Sequence, residues 1–391
     1  MRDTSNFRTK TNFISRDNGH IEGIWEIAID LGYSAVKLFS PNSVARFPSY
    51  AKRIDNEFSF AGATPKNSIR YKNLTTGEMW LVGEMAQNIM TSGDTTDSEA
   101  SLYGRERYTN PMFKVIAETG LGLGMMTNEF GSLGNDRIVI QTGLPERYKD
   151  DADDLKDFLA GEHYFAIQIA DGPWQTFHFN VSHNDVHVMS QPKGTLFSIC
   201  IDKNGKFHAD ASKYLSSSII IFDVGFGTLD IFPIVSGTVR RGETYSDLGM
   251  KRILQETEQG IKTELKKEGI KIDISVPSMQ KHLETGKVPY MDIKQFKSGE
   301  FSFGDILAES SIRICEEAIA RTAGALNLLD YNYLIVTGGT GAAWYNQIVE
   351  KFKNFNTLTI IKGSQNDDLP FVYANVRGYY FYRFNKLAQG V

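Results

Sequence analysis

Two short segments of the chain, Asp30–Lys37 and Asp223–Asp230, share one residue pattern. Both read aspartate, apolar, glycine, aromatic, small, small, apolar and charged, and each follows an apolar run, Trp25–Ile29 or Ile219–Phe222, that predicts a β-strand. Each copy therefore predicts a strand, a tight glycine turn and a returning strand. Two such hairpins can hold a polyphosphate, because turn N–H groups face its oxygens and the aspartates reach a metal ion.

Each segment alone is equally typical of an ordinary β-turn, in which glycine supplies a permissive backbone and aspartate caps the turn. The repeat, about half a chain apart, favours the paired interpretation. Lys37 and Asp230 end the copies with opposite charges, which predicts unequal roles. Lys37 would contact the β- and γ-phosphates, while Asp30 and Asp223 would hold Mg²⁺ through water.

A third segment, Val336–Trp344, contains a run of glycines after the apolar strand Tyr333–Val336 and before a helix. This order suits close backbone approach to a ligand at a helix N-terminus, although an ordinary strand-to-helix turn has the same signature. The segment has neither the Gly-Lys-Ser/Thr ending of a Walker loop nor the G-x-G-x-x-G dinucleotide fingerprint.

Composition bounds the class of protein. The chain has 391 residues, enough for about two domains, with 41% hydrophobic and 23% charged residues, as in globular proteins. A net charge of −5 argues against direct nucleic-acid binding, and the apolar runs are too short for a membrane span. Cys200 and Cys315 indicate buried thiols in a reducing cytoplasm. Residues 1–24 are polar and indicate either a flexible arm or an added surface strand.

Strands alternate with helices in both halves of the sequence, which predicts an α/β protein with two similar domains packed around a cleft. Apolar spacing predicts helices over Thr244–Glu268 and Glu309–Leu328 and a final helix over Ala374–Leu387. A shorter helix over Asn110–Thr119 is predicted to end before the glycine- and methionine-rich segment 120–134. His183 and His187 are spaced i, i+4, but they indicate a solvated turn entering a strand rather than a metal site.

The order hairpin, second hairpin, strand–Gly-Gly–helix resembles that of the actin, Hsp70 and sugar-kinase ATPases. Within this superfamily the sequence most resembles the bacterial ParM and Alp actin-like proteins. Leu81–Ala86 looks like the family's Val-Gly-Glu-x-Ala, Thr142–Pro145 like its strand ending in Leu-Pro, and Ala374–Tyr379 like its Ala-Asn-x-x-Gly-Tyr. The resemblance covers roughly residues 25–385.

The resemblance implies an actin-like ATPase fold with two RNase H-like domains around a nucleotide cleft. It predicts an N-terminal extension over residues 1–24, domain I over 25–215 and domain II over 216–370. The C-terminal helix, 371–391, would return to domain I.

It also implies residue roles. Asp30 and Asp223 would lie beside Mg²⁺, with Asp223 serving catalysis too, and Gln191 would orient the attacking water rather than remove a proton. Its alternative is an exposed loop residue before Pro192. The predicted nucleotide-binding residues are Asp30, Gly32, Tyr33, Ser34, Lys37, Gly225, Phe226, Gly227, Thr228, Gly338, Gly339, Thr340 and Gly341. Tyr33 and Phe226 are aromatic where relatives often have small residues, which leaves ATP or GTP open.

The function implied is a cytoplasmic ATP or GTP hydrolase that polymerises head to tail with bound nucleotide. In this family such filaments segregate plasmid DNA through a small DNA-binding adaptor on a centromere-like site. The alternative is a small-molecule kinase of the same superfamily, acting on a sugar or acid, for which Asp230 is the candidate base. A chaperone ATPase ranks last, because the sequence shows no substrate-binding module.

Overall fold

A computed structural model describes residues 3–55, 58–90 and 105–390. Their contacts divide into two compact units. Unit I comprises the described residues of Lys10–Ile89, Thr96–Ser216 and Gly363–Val391. Unit II comprises those of Met1–Thr9, Met90–Thr95 and Ser217–Lys362. No helix in the described ranges is long and apolar enough to cross a lipid bilayer.

The strands are numbered along the chain. They are β1 (Asn12–Ser15), β2 (Ile24–Leu31), β3 (Ala35–Phe39), β4 (Ser43–Pro48), β5 (Ala51–Ile54), β6 (Ile69–Asn73), β7 (Met79–Val82), β8 (Arg137–Leu144), β9 (Gly161–Ile169), β10 (Gln175–Val181), β11 (Val186–Ser190), β12 (Ser218–Val224), β13 (Leu229–Val235), β14 (Thr238–Val239), β15 (Glu243–Tyr245), β16 (Lys287–Asp292), β17 (Lys297–Ser302), β18 (Tyr333–Thr337) and β19 (Thr359–Lys362).

The α-helices of the described residues are numbered in the same way. They are α1 (Glu84–Asn88), α2 (Pro111–Met125), α3 (Ala152–Leu159), α4 (Gln191–Cys200), α5 (Ala211–Ser216), α6 (Met250–Lys267), α7 (Val276–His282), α8 (Gly304–Ala325), α9 (Gly339–Phe352) and α10 (Ala374–Ala388).

The main sheet of unit I has the strand order β1-β4-β3-β2-β8-β11. Strand β2 pairs antiparallel with β3 and parallel with β8, and β8 pairs parallel with β11. Strand β2 is almost wholly buried and is apolar apart from Glu26 and Asp30, so it forms the centre of the core. The parallel strands β2, β8 and β11 end at one edge of the sheet.

Helix α2 packs between this sheet and a second one of order β10-β9-β6-β7-β5. Its glycines allow the close approach: a Cβ at Gly120 would lie 2.7 Å from the Ile29 side chain in β2, and one at Gly122 would lie 2.9 Å from Phe165 in β9. The predicted end of this helix at Thr119 is therefore wrong, since the helix continues to Met125. Tertiary packing outweighs the low helix propensity of glycine here.

The two ends of unit I are joined by a buried ionic cluster. Arg377 of α10 donates to the carbonyls of Ser198 (2.7 Å) and Ile201 (2.9 Å) at the end of α4 and to the Asp367 carboxylate (2.8 Å). Asp367 also accepts from Arg16, which follows β1. Within residues 1–24, Asn12–Ser15 form strand β1, which pairs with β4. Of the two alternatives that the sequence left open for this segment, a flexible arm or an added surface strand, the structure shows the added strand at Asn12–Ser15.

Helices α4 and α10 cross with their backbones in contact. A Cβ at Gly378 in α10 would overlap the carbonyl oxygen of Gly194 in α4 and lie 2.9 Å from the Gly194 Cα. Tyr379 lies against Gly194 and Gly143, so a side chain at either glycine would overlap its ring. These contacts hold α10 against β2 and β8 as well as α4.

Unit II repeats the parallel pattern with the order β14-β13-β12-β18-β19, in which β15 also pairs with β13. Strand β12 is antiparallel to β13 and parallel to β18, as β2 is to β3 and β8. The predicted helix start at Thr244 is wrong, because Thr244 pairs with Asp230 in the sheet and α6 begins at Met250. Helix α8 begins at Gly304 and ends at Ala325 rather than spanning Glu309–Leu328. Strands β16 and β17 form a separate hairpin.

Candidate functional site

The first repeated segment folds as the predicted hairpin at the end of β2. Asp30 lies opposite Lys37, and the Lys37 Nζ is 2.8 Å from the Asp30 Oδ2. Both side chains are largely buried, at 8% exposure for Asp30 and 15% for Lys37. The pair brings one anionic and one cationic group to the base of the turn Gly32–Tyr33–Ser34.

The carbonyl groups of this turn are held by Ser49. Its hydroxyl donates to the Gly32 carbonyl (2.6 Å), and its N–H donates to the Ser34 carbonyl (3.1 Å). The N–H groups of Gly32 and Ser34, by contrast, meet no acceptor among the described residues. A turn with occupied carbonyls and available N–H groups is suited to an anion. Ser49 was not predicted, because it lies beyond the motif in the sequence.

The ring of Tyr33 packs beside a cation. The Arg107 guanidinium lies 5.8 Å from the centre of the Tyr33 ring and 5.1 Å from those of Tyr108 and Phe113. These are cation–π distances. The aromatic residue at position 33 therefore links the hairpin to the segment before α2, and Arg107 is a residue that sequence analysis did not identify.

Gln191 lies at the same edge of the sheet, immediately after β11, and is the first residue of α4. It is partly buried and followed by Pro192 within the first helical turn. Its predicted alternative as an exposed loop residue is wrong, because the helix begins there. Unit I thus brings the first hairpin and Gln191 to the carboxyl ends of its parallel strands.

The second repeated segment folds as a hairpin in unit II, with Asp223 opposite Asp230. The Gly225 N–H donates to the Thr228 carbonyl (2.9 Å), which closes the turn. The Gly225 carbonyl accepts from the Thr340 hydroxyl (2.8 Å), and the Phe226 carbonyl accepts from the Lys251 N–H (2.8 Å) at the start of α6. The N–H groups of Gly227 and Thr228 meet no acceptor within the described ranges.

The two hairpins therefore agree in more than sequence. In each, groups from elsewhere in the same unit hold the turn carbonyls, which leaves N–H groups to face a ligand. Gly249 permits this in unit II, because a Cβ there would lie 2.6 Å from the Phe226 carbonyl oxygen. Gly249 is the N-cap of α6, and the sequence analysis did not identify it as part of the site.

The predicted strand–glycine–helix segment is confirmed as β18, Gly338 and α9. Gly338 has a φ of +84°, and a Cβ there would lie 2.6 Å from the Asp223 carboxylate. Only glycine satisfies both constraints without strain. Asp223 lies opposite Thr337 in the parallel pair, so unit II brings Asp223, Gly225–Thr228 and Gly338–Gly341 together at one sheet edge.

The Asp230 carboxylate accepts hydrogen bonds from two hydroxyl groups. Thr228 donates to one carboxylate oxygen (2.7 Å) and Thr244 to the other (2.6 Å). The residue is buried at 7% exposure. These contacts fit a residue that fixes the returning strand better than a base that must reach a substrate hydroxyl.

Each unit offers one carboxylate suited to a Mg²⁺ ion that keeps most of its water, Asp30 in unit I and Asp223 in unit II. Asp30 and Asp223 are both buried carboxylates. No group of three or more His, Cys, Asp or Glu side chains suited to a metal occurs among the described residues. Mg²⁺ commonly takes one or two carboxylates together with waters and substrate phosphates, so such a site needs no larger cluster.

The cysteines and histidines do not extend the site. Both thiols are free and buried, as predicted, and burial raises the pKa of Cys200 and of Cys315 to about 12. His183 lies in an exposed turn before β11 and pairs with Asp157 (3.2 Å), which confirms the predicted solvated turn. Burial and the nearby Arg383 lower the pKa of His187 to about 4.

Residues 28–194 match the sequence family described as actin-like proteins, N-terminal domain. No curated protein sequence matches the chain. The structure is similar to the pCBH ParM non-polymerisable quadruple mutant, with a TM-score of 0.68 at 23% identity over 93% of this chain and 99% of that one.

Two other solved structures are similar along nearly their whole length. A 15-stranded ParM filament from Clostridium botulinum has a TM-score of 0.65 at 22% identity, covering 93% of this chain and 99% of that chain. The apo psk41 ParM protein has a TM-score of 0.61 at 19% identity, covering 94% and 99%. The predicted resemblance is confirmed: this is an α/β protein with the actin-like ATPase fold, similar to the ParM and Alp actin-like proteins.

Proposed function

We propose that this chain is a nucleotide-dependent filament protein that binds ATP or GTP with Mg²⁺, polymerises head to tail and hydrolyses the bound nucleotide. The observation that carries the proposal is the shared construction of the two hairpins. In both turns, groups from elsewhere in the same unit donate hydrogen bonds to the carbonyls. The N–H groups of Gly32, Ser34, Gly227 and Thr228 have no acceptor within the described ranges. Polyphosphate oxygens are the ligands that such turns accept.

The proposed roles follow from position. Within the turns Gly32–Ser34 and Gly225–Thr228, the N–H groups of Gly32, Ser34, Gly227 and Thr228 donate to phosphate oxygens, and Lys37 adds a positive charge. Asp30 and Asp223 orient Mg²⁺-bound water, while Gly338–Gly341 lie along the α-phosphate and adenosine. Gln191 positions the attacking water from the start of α4, since a neutral amide orients a water without removing its proton. Bound Mg²⁺ supplies charge neutralisation at the phosphates.

Loss of the γ-phosphate removes the ligand of the turn N–H groups, so hydrolysis would weaken whatever conformation the bound nucleotide favours. Coupling hydrolysis to disassembly follows from this. The solved ParM filament from Clostridium botulinum supports self-assembly as the outcome. Head-to-tail contacts between two different surfaces do not close, and therefore give a filament.

The direct test is sedimentation of the purified chain at tens of micromolar protein, with and without Mg²⁺, ATP or GTP. We expect pelleting only with a nucleotide and Mg²⁺, and filaments in electron micrographs of the pellet. Comparing the two nucleotides decides the base preference. A protein that stays monomeric with both overturns the proposed function.

We further propose a cytoplasmic location and a DNA cargo held through a small DNA-binding adaptor. The chain's net charge of −5 supports an indirect link, because direct DNA binding relies on phosphate neutralisation by cations. The chain alone is expected to leave DNA mobility unchanged in a gel. A shift produced by the chain without an adaptor would contradict this part.

The kinase alternative loses support from Asp230, whose two oxygens already accept hydrogen bonds from Thr228 and Thr244. A kinase requires a carboxylate near the transferred phosphate that can take a proton from the substrate hydroxyl. Stimulation of ATP turnover by a sugar or a small hydroxy acid would favour the alternative.

A further inference from the structure

The hairpin β16–β17 of unit II forms a two-stranded sheet of its own, separate from the main sheet. Its end carries three large apolar side chains, here called the apolar tip: Met291 (60% exposed), Ile293 (72%) and Phe296 (88%). Single exposed apolar residues are ordinary in proteins. Three at one end of a hairpin, Met291 in β16 and Ile293 and Phe296 in the turn, form an apolar surface suited to a partner.

The turn presents Phe296 at a conformational cost. Phe296 has a φ of +50°, in the left-handed region that side chains rarely adopt. Glycine would take this conformation more easily, yet an aromatic ring occupies the position. The Asp292 carboxylate accepts from the N–H groups of Lys294 (2.9 Å) and Gln295 (3.2 Å), which orders the turn. The tip is therefore a preformed apolar projection.

Its charges indicate the kind of partner. Lys294 and Lys297 flank the ring and are exposed, whereas the chain as a whole carries a net charge of −5. A second copy of the chain is thus electrostatically attractive to the tip.

The same unit offers a surface of matching chemistry. Leu329, 65% exposed, is the most exposed large apolar side chain outside the tip among the described residues. It lies in the short 3-10 turn Leu328–Asp330 after α8, and the neighbouring Asp330 is exposed too. An apolar side chain beside a carboxylate complements an apolar ring beside lysines.

We propose that the apolar tip of one copy docks on the Leu329–Asp330 surface of the next copy, and that this contact joins subunits along the filament. Both surfaces are exposed in one copy, so neither covers the other within it. Because the surfaces differ, the contact is heterologous and continues from copy to copy. The inference rests on the proposed self-assembly and adds the contact that makes it.

The first experiment uses Phe296→Gly in the full chain. Glycine accepts the φ of the turn, so the variant removes the ring without straining the hairpin. We expect unchanged or slightly higher thermal stability, unchanged nucleotide affinity and a critical concentration for pelleting raised at least about tenfold, equivalent to ~1.4 kcal/mol. The matched control is Phe207→Ser in unit I, where Phe207 is 53% exposed, and it should assemble as the wild type does.

The second experiment exchanges charges. Lys294→Glu and Asp330→Lys should each raise the critical concentration, because each places like charges opposite one another in the contact. The variant carrying both changes should recover most of the loss.

The outcomes separate the two ideas. If the wild type assembles and Phe296→Gly assembles equally well, this inference is overturned while the proposed function stands. If the wild type does not assemble with any nucleotide, both fall. Binding of the wild type to phosphatidylglycerol vesicles that is lost in Phe296→Gly, with assembly unchanged, would assign the tip to a membrane surface instead.

Discussion

Substituting alanine for Gly378 tests the crossing of α4 and α10, and substituting it for Gly324 in α8 provides the control. Alanine is favoured over glycine in a helix by about 1 kcal/mol at either position. At Gly324 a Cβ meets nothing within 4 Å, so Gly324→Ala should stabilise the protein by roughly 0.5–1 kcal/mol.

At Gly378 the same methyl group would overlap the Gly194 carbonyl oxygen and lie 2.9 Å from the Gly194 Cα. Carbon atoms in contact are normally about 3.5–4.0 Å apart, and the overlap with the carbonyl oxygen is deeper than that with the Cα, so the helices must separate by roughly 1 Å or more. Overpacking of this kind costs about 1–3 kcal/mol, and here the opposing group is backbone, which favours the upper end. After the helix-propensity gain we expect a net loss of about 2 kcal/mol.

The assay is thermal unfolding of both variants, combined with nucleotide turnover. A loss of 2 kcal/mol corresponds to a melting temperature lower by about 4–8 °C for a unit of this size. Because α4 begins at Gln191, a shifted α4 should also lower turnover in Gly378→Ala. Equal stability of Gly378→Ala and Gly324→Ala would refute the argument, since the two differ only in the space around the methyl group.

Three further predictions follow from the site and the ionic cluster. Gln191→Ala should slow hydrolysis at least about tenfold while nucleotide affinity and assembly persist, giving longer-lived filaments by light scattering; unchanged turnover would remove Gln191 from the mechanism. Tyr33→Ser should weaken nucleotide binding about threefold through loss of the contact with Arg107, and Tyr33→Phe should retain it. Burial alone would raise the pKa of Asp367, but hydrogen bonds from Arg16 and Arg377 outweigh it and lower the pKa. The stability from Asp367 is therefore present above its unfolded pKa of about 3.9 and lost as pH falls towards the folded value. The stability difference between wild type and Asp367→Asn, measured by urea unfolding, should shrink from pH 6 to pH 3.

The features that the sequence predicted well are local. Aspartate, glycine and alternating apolar residues specify a hairpin within eight positions, and Gly338 follows its strand directly. The groups that complete each turn come from elsewhere. Ser49, which follows β4, donates to the Gly32 carbonyl. The start of α6 donates to the Phe226 carbonyl, and the sequence analysis had extended that helix over the preceding strand β15. A hydrogen bond between residues far apart in the chain produces no periodic pattern of residues, so a single sequence does not predict it.

The glycines of α2 illustrate a second reason. On propensity alone, Gly120, Gly122 and Gly124 end a helix, and the prediction ended it there. The two sheets on either side leave no room for side chains, so the same residues are required by the packing.

The ionic cluster of Arg16, Asp367 and Arg377 has a consequence for the order of folding during synthesis. Unit I is assembled from segments on both sides of Ser217–Lys362, the contiguous part of unit II. The main sheet of unit I therefore lacks its α10 cover until the last part of this sequence has left the ribosome, whereas unit II's main sheet can form earlier. A nascent chain therefore holds an incomplete unit I until translation has passed α10.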